Sequence, residues 1–377
     1  MTETAPPPAK ARRLSLDLFR GLTIMGMILV NTEGEGAPAY PVLVHADWFG
    51  FTGADLVFPS FLFAMGSALA LTGRVETGEG AFWAKVLRRG AVIFLLGVLL
   101  YWFPFVQKDA MGHWSLIPFA GTRLMGVLQR TALCYVIAAV AARVLGPKGL
   151  IALSLALLAG YWTILLTCAP PTQALTKMGN FGNVIDVAVL GKSHLYRWDG
   201  GFDPEGLLGT LPSIVNVIAG YLAARFLKGS EDLGKVVVRF AATGLVLALA
   251  ALALSLVVPI GKKLWTPSFV GLTVGLDLMI MALFVQVYDR MGWRFGQTAL
   301  QPLGLNPLVI YLFSELFVVV LGLVPMGGTD VWTWFCKDLM QKALPGANGA
   351  LGAAVVYLFV CWLVAYVMEK RRIYVRI

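Results

Sequence analysis

Residues 21–73 read GLTIMGMILVNTEGEGAPAYPVLVHADWFGFTGADLVFPSFLFAMGSALALTG, and this stretch decides the fold. It contains two apolar runs, each long enough to cross a membrane as a helix, and no lysine or arginine. The loop between the runs carries His45 and Asp47 with two glutamates, and Asp55 begins the second run. A histidine among carboxylates at one membrane face supplies groups that can transfer protons near neutral pH.

The composition of the whole chain excludes a soluble domain. Of its 377 residues, 58% are hydrophobic and 14% are charged, and the mean hydropathy is +0.76. Soluble domains have about 25% charged residues, so this chain is predicted to be a polytopic membrane protein. The net charge of +9 does not indicate a nucleic-acid partner, because membrane proteins concentrate lysine and arginine on the cytoplasmic side.

Runs of about 20 apolar residues predict ten transmembrane helices in an all-α fold, within one domain spanning residues 14–377. A proline-rich, polar segment, residues 1–13, is expected to be a disordered cytoplasmic tail. The predicted spans are 15–32, 53–73, 86–105, 123–143, 149–168, 207–225, 236–259, 268–288, 303–322 and 351–368.

The distribution of basic residues predicts the orientation. With the N-terminus inside and the helices alternating, about two thirds of the 30 lysines and arginines fall on the inner side, so both termini are expected to be cytoplasmic. All three histidines, His45, His113 and His194, then lie outside. The four cysteines are scattered without a CxxC pair, and neither a disulfide framework nor a zinc or other metal site is indicated.

Asp55 and His45 admit two interpretations. A carboxylate in the first turn of a helix is stabilised there by unpaired N–H groups and the helix dipole. Alternatively, Asp55 orients the His45 imidazole and raises its basicity. Trp48 lies beside His45, whereas His113 and His194 read as incidental polar residues of loops.

Several further charged residues stand where membrane proteins rarely place them. Arg130 lies inside the fourth span, where it would form an ion pair with Asp55 or Asp277 or line a ligand path. Lys262 and Lys263 occupy a short outer hairpin, against the positive-inside trend, which suggests a nearby anionic partner. The candidate anionic partners are Asp203 and Glu205, which stand before the sixth span. Acids at this position would also interact favourably with the helix dipole.

Six blocks, in family order between residue 15 and about residue 311, resemble the heparan-α-glucosaminide N-acetyltransferase family, including its NagX-type bacterial members. The most specific block is HADWFGFTGADLVFP. The others are SLDLFRGLTIMGMILVN, GVLQRTALCY, DPEGLLGTLPSI, KKLWTPSFV and PLGLNPLVIY. The last reads GLNP, with a proline that is expected to alter the start of the ninth span locally.

The resemblance implies transfer of an acetyl group from acetyl-CoA to the amine of a terminal glucosamine. It implies that His45 is the essential histidine of the first non-cytoplasmic loop, and that Asp55, Asn31 and Glu205 are the matching family residues. We expect His45 to act as general base, oriented by Asp55, with Asn31 or a backbone N–H polarising the carbonyl. A covalent acetyl-imidazole on His45 is the alternative mechanism.

The residues that bind the two substrates are predicted from the side of the membrane on which they lie. The amino sugar is expected to contact four residues of the outer loops: Glu205, Asp203, Trp48 and Lys263. Acetyl-CoA comes from the cytoplasm, so its phosphates are expected near arginines of the inner side or the bundle: Arg130, Arg20, Arg88, Arg89 and Arg239. Asp17 and Arg20 are three residues apart on one helix face and are expected to form a structural pair.

Two other functions stay open at this stage. A sugar transporter would fit the helix count, although the sequence shows neither an inverted repeat nor paired broken helices. An O-acetyltransferase for an exported glycan would fit the same residues. The expected location is a bacterial inner membrane, in contact with the lipid bilayer, and a homodimer is left open.

Overall fold

The computed structural model describes residues 13–72, 74–108 and 113–375, so the predicted N-terminal tail lies almost wholly outside the described residues. The described chain is mainly helical, which confirms the all-α prediction. Its helices are α1 (Leu14–Asn31), α2 (Gly53–Leu71), α3 (Glu79–Trp102), α4 (Val127–Val144), α5 (Pro147–Thr167), α6 (Phe181–Leu190), α7 (Thr210–Gly229), α8 (Leu233–Leu254), α9 (Pro267–Phe284), α10 (Gln297–Leu305), α11 (Pro307–Leu323), α12 (Val331–Trp334), α13 (Gln341–Ala343) and α14 (Ala347–Lys370).

Short irregular elements connect these helices. A π-helical turn, Val285–Arg290, extends α9, and another, Phe335–Met340, joins α12 to α13. Two small antiparallel hairpins pair β1 (Val106–Lys108) with β2 (Trp114–Leu116), and β3 (Pro325–Met326) with β4 (Thr329–Asp330).

The helices confirm a polytopic membrane protein. Within the described chain, eight helices are long and apolar enough to cross a membrane, namely α1, α2, α4, α5, α7, α8, α9 with its π turn, and α14. The pair α10–α11 makes a ninth span if counted as one. The remaining predicted span, 86–105, is the 24-residue helix α3, whose first half carries four charged residues, Glu79, Lys85, Arg88 and Arg89.

The ninth predicted span, 303–322, is not one straight helix. α10 and α11 meet at an angle of 89° across Asn306. Pro307 disfavours the helical conformation at the residue before it, and Asn306 has φ −130° and ψ 53°. The Asn306 side chain holds the bend, since it donates to the carbonyl of Ile373 at 2.9 Å and accepts from the Val375 N–H at 2.9 Å.

The centre of the bundle is formed by α2 and α7, which pack backbone against backbone. A Cβ added at Gly66 would lie 1.9 Å from the carbonyl oxygen of Val217, and one at Gly220 would lie 1.9 Å from that of Phe63. Only glycine fits such contacts. This close pair, with the buried Leu62 and Phe63 of α2, gives the surrounding helices a rigid core to pack on.

Contacts between loops define two ends of the bundle. At one end, which we call the His45 face, the loop 32–52 meets the loops that follow α5, α8 and α11. At the opposite face, the Ser15 hydroxyl donates to Asp289 at 2.6 Å, and Arg143 donates to the carbonyl of Thr77 at 2.7 Å. This alternation agrees with the sequence-based threading, while the cytoplasmic location of the termini stays a prediction.

Candidate functional site

The His45 face contains a cavity of about 680 Å³ between α1, α2, α3, α4 and α11 and four loops. It brings together four of the residues that the sequence proposed for a site. These are Asn31, His45, Glu205 and Lys263. It adds polar residues that sequence reasoning did not propose for the site. The most prominent are Tyr101, Arg123, Tyr196, Lys262 and Glu315.

Asp55 makes the contacts that both of its interpretations require, since it caps α2 and lies against the His45 imidazole. Its Oδ2 accepts hydrogen bonds from the backbone N–H of Thr52 at 3.0 Å and of Ala46 at 3.2 Å, and so caps α2 in a reciprocal box with the Thr52 side chain. Its Oδ1 lies 2.9 Å from Nδ1 of His45. The Asp55 side chain is fully buried, whereas 39% of the His45 side chain is exposed. The carboxylate therefore anchors a ring whose other edge faces the cavity.

Lys262 contacts both nitrogens of the same imidazole. Its Nζ is 2.8 Å from Nε2 and 3.1 Å from Nδ1 of His45. The sequence marked this lysine as unusual for an outer loop but did not connect it with His45. Burial lowers the pKa of Lys262 to about 8, against opposing effects of Glu205 and Asp55.

Asn31 is the last residue of α1 and faces Glu315 of α11. Its Nδ2 donates to Glu315 Oε1 at 2.7 Å. This bond uses one of the two amide N–H groups and fixes the plane of the amide, because a carboxylate can only accept. The second N–H is the group that could bind a carbonyl oxygen in the cavity.

Arg123 joins the two acids before α7 into a cluster. Its Nε donates to Asp203 Oδ2 at 2.9 Å, its Nη2 donates to Asp203 Oδ1 at 2.6 Å, and Nη2 also reaches Glu205. The guanidinium lies 5.0 Å from the ring centre of Tyr101 and 4.4 Å from that of Tyr196. Burial raises the pKa of Glu205, but Arg123 and the neighbouring cations outweigh it and hold that pKa below its usual value.

This cluster changes the expectation for Asp203, Glu205 and the outer lysines. Asp203 is buried and occupied by Arg123, so it supports the cavity wall from behind. The anionic partner of Lys263 is Asp199, at 2.8 Å, rather than either of the two acids before α7. Glu205, in contrast, lines the cavity.

Trp48 is part of the support of the cavity. Its Nε1 donates to the carbonyl of Leu175 at 2.8 Å, and its ring packs edge-on against Phe202 with the centres 5.2 Å apart. Trp48 is not one of the described residues that line the cavity. Contact between Trp48 and a sugar therefore stays a prediction without geometric support.

Arg130 is buried in α4 in a manner that the sequence did not predict. Its Nη2 donates to the carbonyl of Gly206 at 2.9 Å, and its guanidinium lies 5.1 Å from the ring centre of Trp265. Of the described contacts, none pairs Arg130 with Asp55 or Asp277. Arg130 thus holds the segment before α7 beneath the cavity.

A second cavity, of about 520 Å³, opens at the opposite face. It brings together Arg20 and Arg89, two of the five arginines proposed for the CoA phosphates, with the bend at Asn306. Arg20 forms the predicted ion pair with Asp17. Arg88 is exposed, and Arg239 lies over the ring of Phe226, so neither is placed at this cavity.

The two cavities share helices. α1 contributes Arg20 to the cavity of the opposite face and Asn31 to that of the His45 face. α3 contributes Arg89 to the cavity of the opposite face and Tyr101 to that of the His45 face. Eleven residues of helix correspond to about 16 Å, so an extended molecule could reach from one cavity toward the other along these helices.

Fold and site together define a class: a polytopic membrane protein whose carboxylate-anchored histidine faces a polar cavity at one end of the bundle. Residues 12–184 match the family model described as "Heparan-alpha-glucosaminide N-acetyltransferase, catalytic". The chain is 29% identical to human heparan-alpha-glucosaminide N-acetyltransferase over 99% of its own length, and 28% identical to the protein of that name from Mus musculus over 81%. The chain is thus similar to heparan-α-glucosaminide N-acetyltransferases, and this similarity confirms the resemblance noted in its sequence blocks.

The matches leave parts of the relatives uncovered. The chain spans 61% of the human protein and 54% of the mouse protein. Asn31, His45, Asp55 and Arg123 fall inside the region matched by the family model, whereas Glu205 and Lys262 lie beyond it. The NagX-type bacterial label stays a prediction.

Proposed function

We propose that this chain is a membrane N-acetyltransferase that moves an acetyl group from cytoplasmic acetyl-CoA to the amine of glucosamine or a related amino sugar. The transfer takes place at the His45 face, which we place outside, in a bacterial inner membrane. One observation carries the proposal: an imidazole anchored by a buried carboxylate lines a polar cavity, within the region matched by an N-acetyltransferase family model.

His45 acts as the base. The amine nitrogen forms a bond to the acetyl carbonyl carbon, and Nε2 of His45 takes the proton that the nitrogen must lose. The C–S bond then breaks with its electron pair on sulfur, and the protonated imidazole returns the proton to the thiolate. Asp55 keeps Nδ1 protonated, so Nε2 is the basic nitrogen, and it stabilises the imidazolium that forms between these steps.

Asn31 supplies a hydrogen bond to the carbonyl oxygen during attack. Its amide is already fixed by Glu315, so the free N–H needs little reorganisation as negative charge develops on that oxygen. The base thus lies in the loop between α1 and α2, and the oxyanion donor is the last residue of α1.

The residues of the opposite face fit the donor. Arg20 and Arg89 at the second cavity are suited to the phosphates, which guanidinium groups bind by paired hydrogen bonds. The acetyl end of the donor would then reach His45 along α1 and α3. Carboxylates at the first cavity, notably Glu205 and Asp47, are suited to the amine and hydroxyl groups of a sugar.

Product analysis tests this function. Purified protein given acetyl-CoA and glucosamine should release N-acetylglucosamine and one free CoA thiol per sugar, measured by mass spectrometry and thiol titration. Because the proposed acceptor is the amine, a panel of amino sugars should be acetylated and their N-blocked analogues should not. Acetyl groups on oxygen would favour the O-acetyltransferase, and solute-driven currents without acetyl-CoA would favour the transporter.

A further inference from the structure

The short loop that carries Lys262 is fixed against the loop of His45. Ile260 accepts a hydrogen bond from the Gly50 N–H at 2.8 Å, which joins the two loops by their backbones. Within the turn, the Trp265 N–H donates to the Lys262 carbonyl at 3.0 Å, and Trp265 takes a left-handed φ of 55°. The tether holds the backbone of Lys262 next to the loop of His45, from where its side chain reaches the imidazole.

Hydrogen-bond roles follow from the acceptors of Asp55. The carboxylate already accepts from Thr52 and Ala46, and it can bind Nδ1 of His45 only if Nδ1 carries a proton. In the neutral imidazole, the lone pair then lies on Nε2. The Lys262 Nζ is 2.8 Å from Nε2 and 3.1 Å from Nδ1, so it lies against the ring and away from the axis of that lone pair. A charged Lys262 therefore opposes the positive charge that the imidazole would gain on accepting a proton.

We infer that Lys262 holds His45 in a resting form, in which its ammonium lies against the imidazole, and that Lys262 must lose its proton before His45 can act as base. This inference rests on the proposed function. The resting form carries one proton more than the active form, on the Lys262 ammonium, whereas the Nδ1 proton of His45 is present in both. The released proton passes to solvent through the cavity, which is open to the His45 face.

The charges around Lys262 favour such a switch. Glu205 before α7 and Asp55 on α2 favour the ammonium, while Lys263 on the same loop and Arg130 on α4 oppose it. Burial outweighs the two acids and lowers the pKa of Lys262 to about 8. As the pH rises through that value, the positive charge beside the imidazole is lost, so activity should rise with pH. The apparent value belongs to the pair rather than to either residue.

Two substitutions separate this role from a merely structural one. Lys262→Met keeps a long side chain but has no proton, so the acid limb of kcat/KM for acetyl transfer to glucosamine should move down by about one pH unit or more. Lys262→Arg stays charged at every working pH, so the positive charge beside the imidazole remains and kcat/KM should fall by about 10²-fold with no recovery at high pH. The ionisation of the sugar amine is common to all variants, so the differences belong to the enzyme.

Lys342→Met is the matched control, because Lys342 is exposed and pairs with Asp338 four residues before it. Its pH profile should equal that of the unchanged protein. A Lys262→Met profile identical to the unchanged protein would overturn the inference, as would an active Lys262→Arg variant. If either of these two results is found while His45→Ala is inactive in the same assay, the role of Lys262 is refuted and the proposed function still holds.

Amine labelling gives a second readout that needs no turnover and no variant. In the purified protein, acetic anhydride labels only uncharged amines, and mass spectrometry can follow each lysine. Half-maximal labelling of Lys262 should occur near pH 8, below the pH of about 10.4 at which an unperturbed lysine amine is half-protonated. Half-maximal labelling of Lys262 only at about pH 10.4 would contradict the resting form that we infer.

Discussion

His45→Ala should lower kcat/KM for acetyl transfer to glucosamine by at least about 10²-fold, the usual contribution of a positioned acid–base group. The imidazole is the group at the cavity that Asp55 anchors and keeps in one tautomer. Alanine removes the proton acceptor and leaves the fold intact, since the His45 side chain is part-exposed and packs little. Steady-state assays on purified protein, with thermal unfolding as a check on folding, measure this effect.

His113→Ala is the matched control for this experiment. His113 also belongs to the His45 face, in the hairpin between β1 and β2, but it is exposed and does not line the cavity. Its replacement should leave kcat/KM unchanged. Near-normal turnover of His45→Ala in a folded protein would refute the assignment of the base.

Arg123→Met should destabilise the protein by about 3–5 kcal/mol, because removal of one partner from a buried ionic cluster leaves the other charges uncompensated. Asp203 and Glu205 would remain buried without their guanidinium, and Tyr101 and Tyr196 would lose the cation between them. The expected result is a large fall in Tm in detergent, together with loss of activity through collapse of the cavity wall.

A second substitution makes this prediction specific. Adding Glu205→Gln to Arg123→Met removes one of the stranded charges, so the double variant should be more stable than Arg123→Met alone. Arg371→Met, at an exposed arginine of the opposite face, should leave Tm unchanged. If Arg123→Met unfolds at the temperature of the unchanged protein, the cluster does not hold the cavity wall.

Much of the fold could be predicted from sequence, because the hydrocarbon core of a membrane imposes a length and a composition on each span. All ten predicted spans correspond to helices. The ninth predicted span differs in shape, because it bends at Asn306. Hydropathy could not reveal this bend, since it reports only how apolar a segment is. The GLNP motif signalled it locally, and Pro307 gives the physical reason.

The site was predictable only where its residues are close in the chain. His45 and Asp55 are ten residues apart, and their pairing was proposed from sequence. Arg123 and Asp203 are 80 residues apart, and Lys262 and His45 are 217 apart. No periodicity or spacing connects such pairs, so only the packing of the helices reveals them. The unusual position of Lys262 in an outer loop was the one available signal.

Transfer across the membrane is the central claim, and sealed vesicles of known orientation test it most directly. It rests on arginines at the opposite face, a histidine site at the His45 face, and two helices that contribute to both cavities. In inside-out vesicles, labelled acetyl-CoA added outside should acetylate glucosamine trapped within. Right-side-out vesicles that contain no acetyl-CoA should form no product when labelled acetyl-CoA is added outside. Equal product in both orientations would contradict donor delivery from the cytoplasmic face.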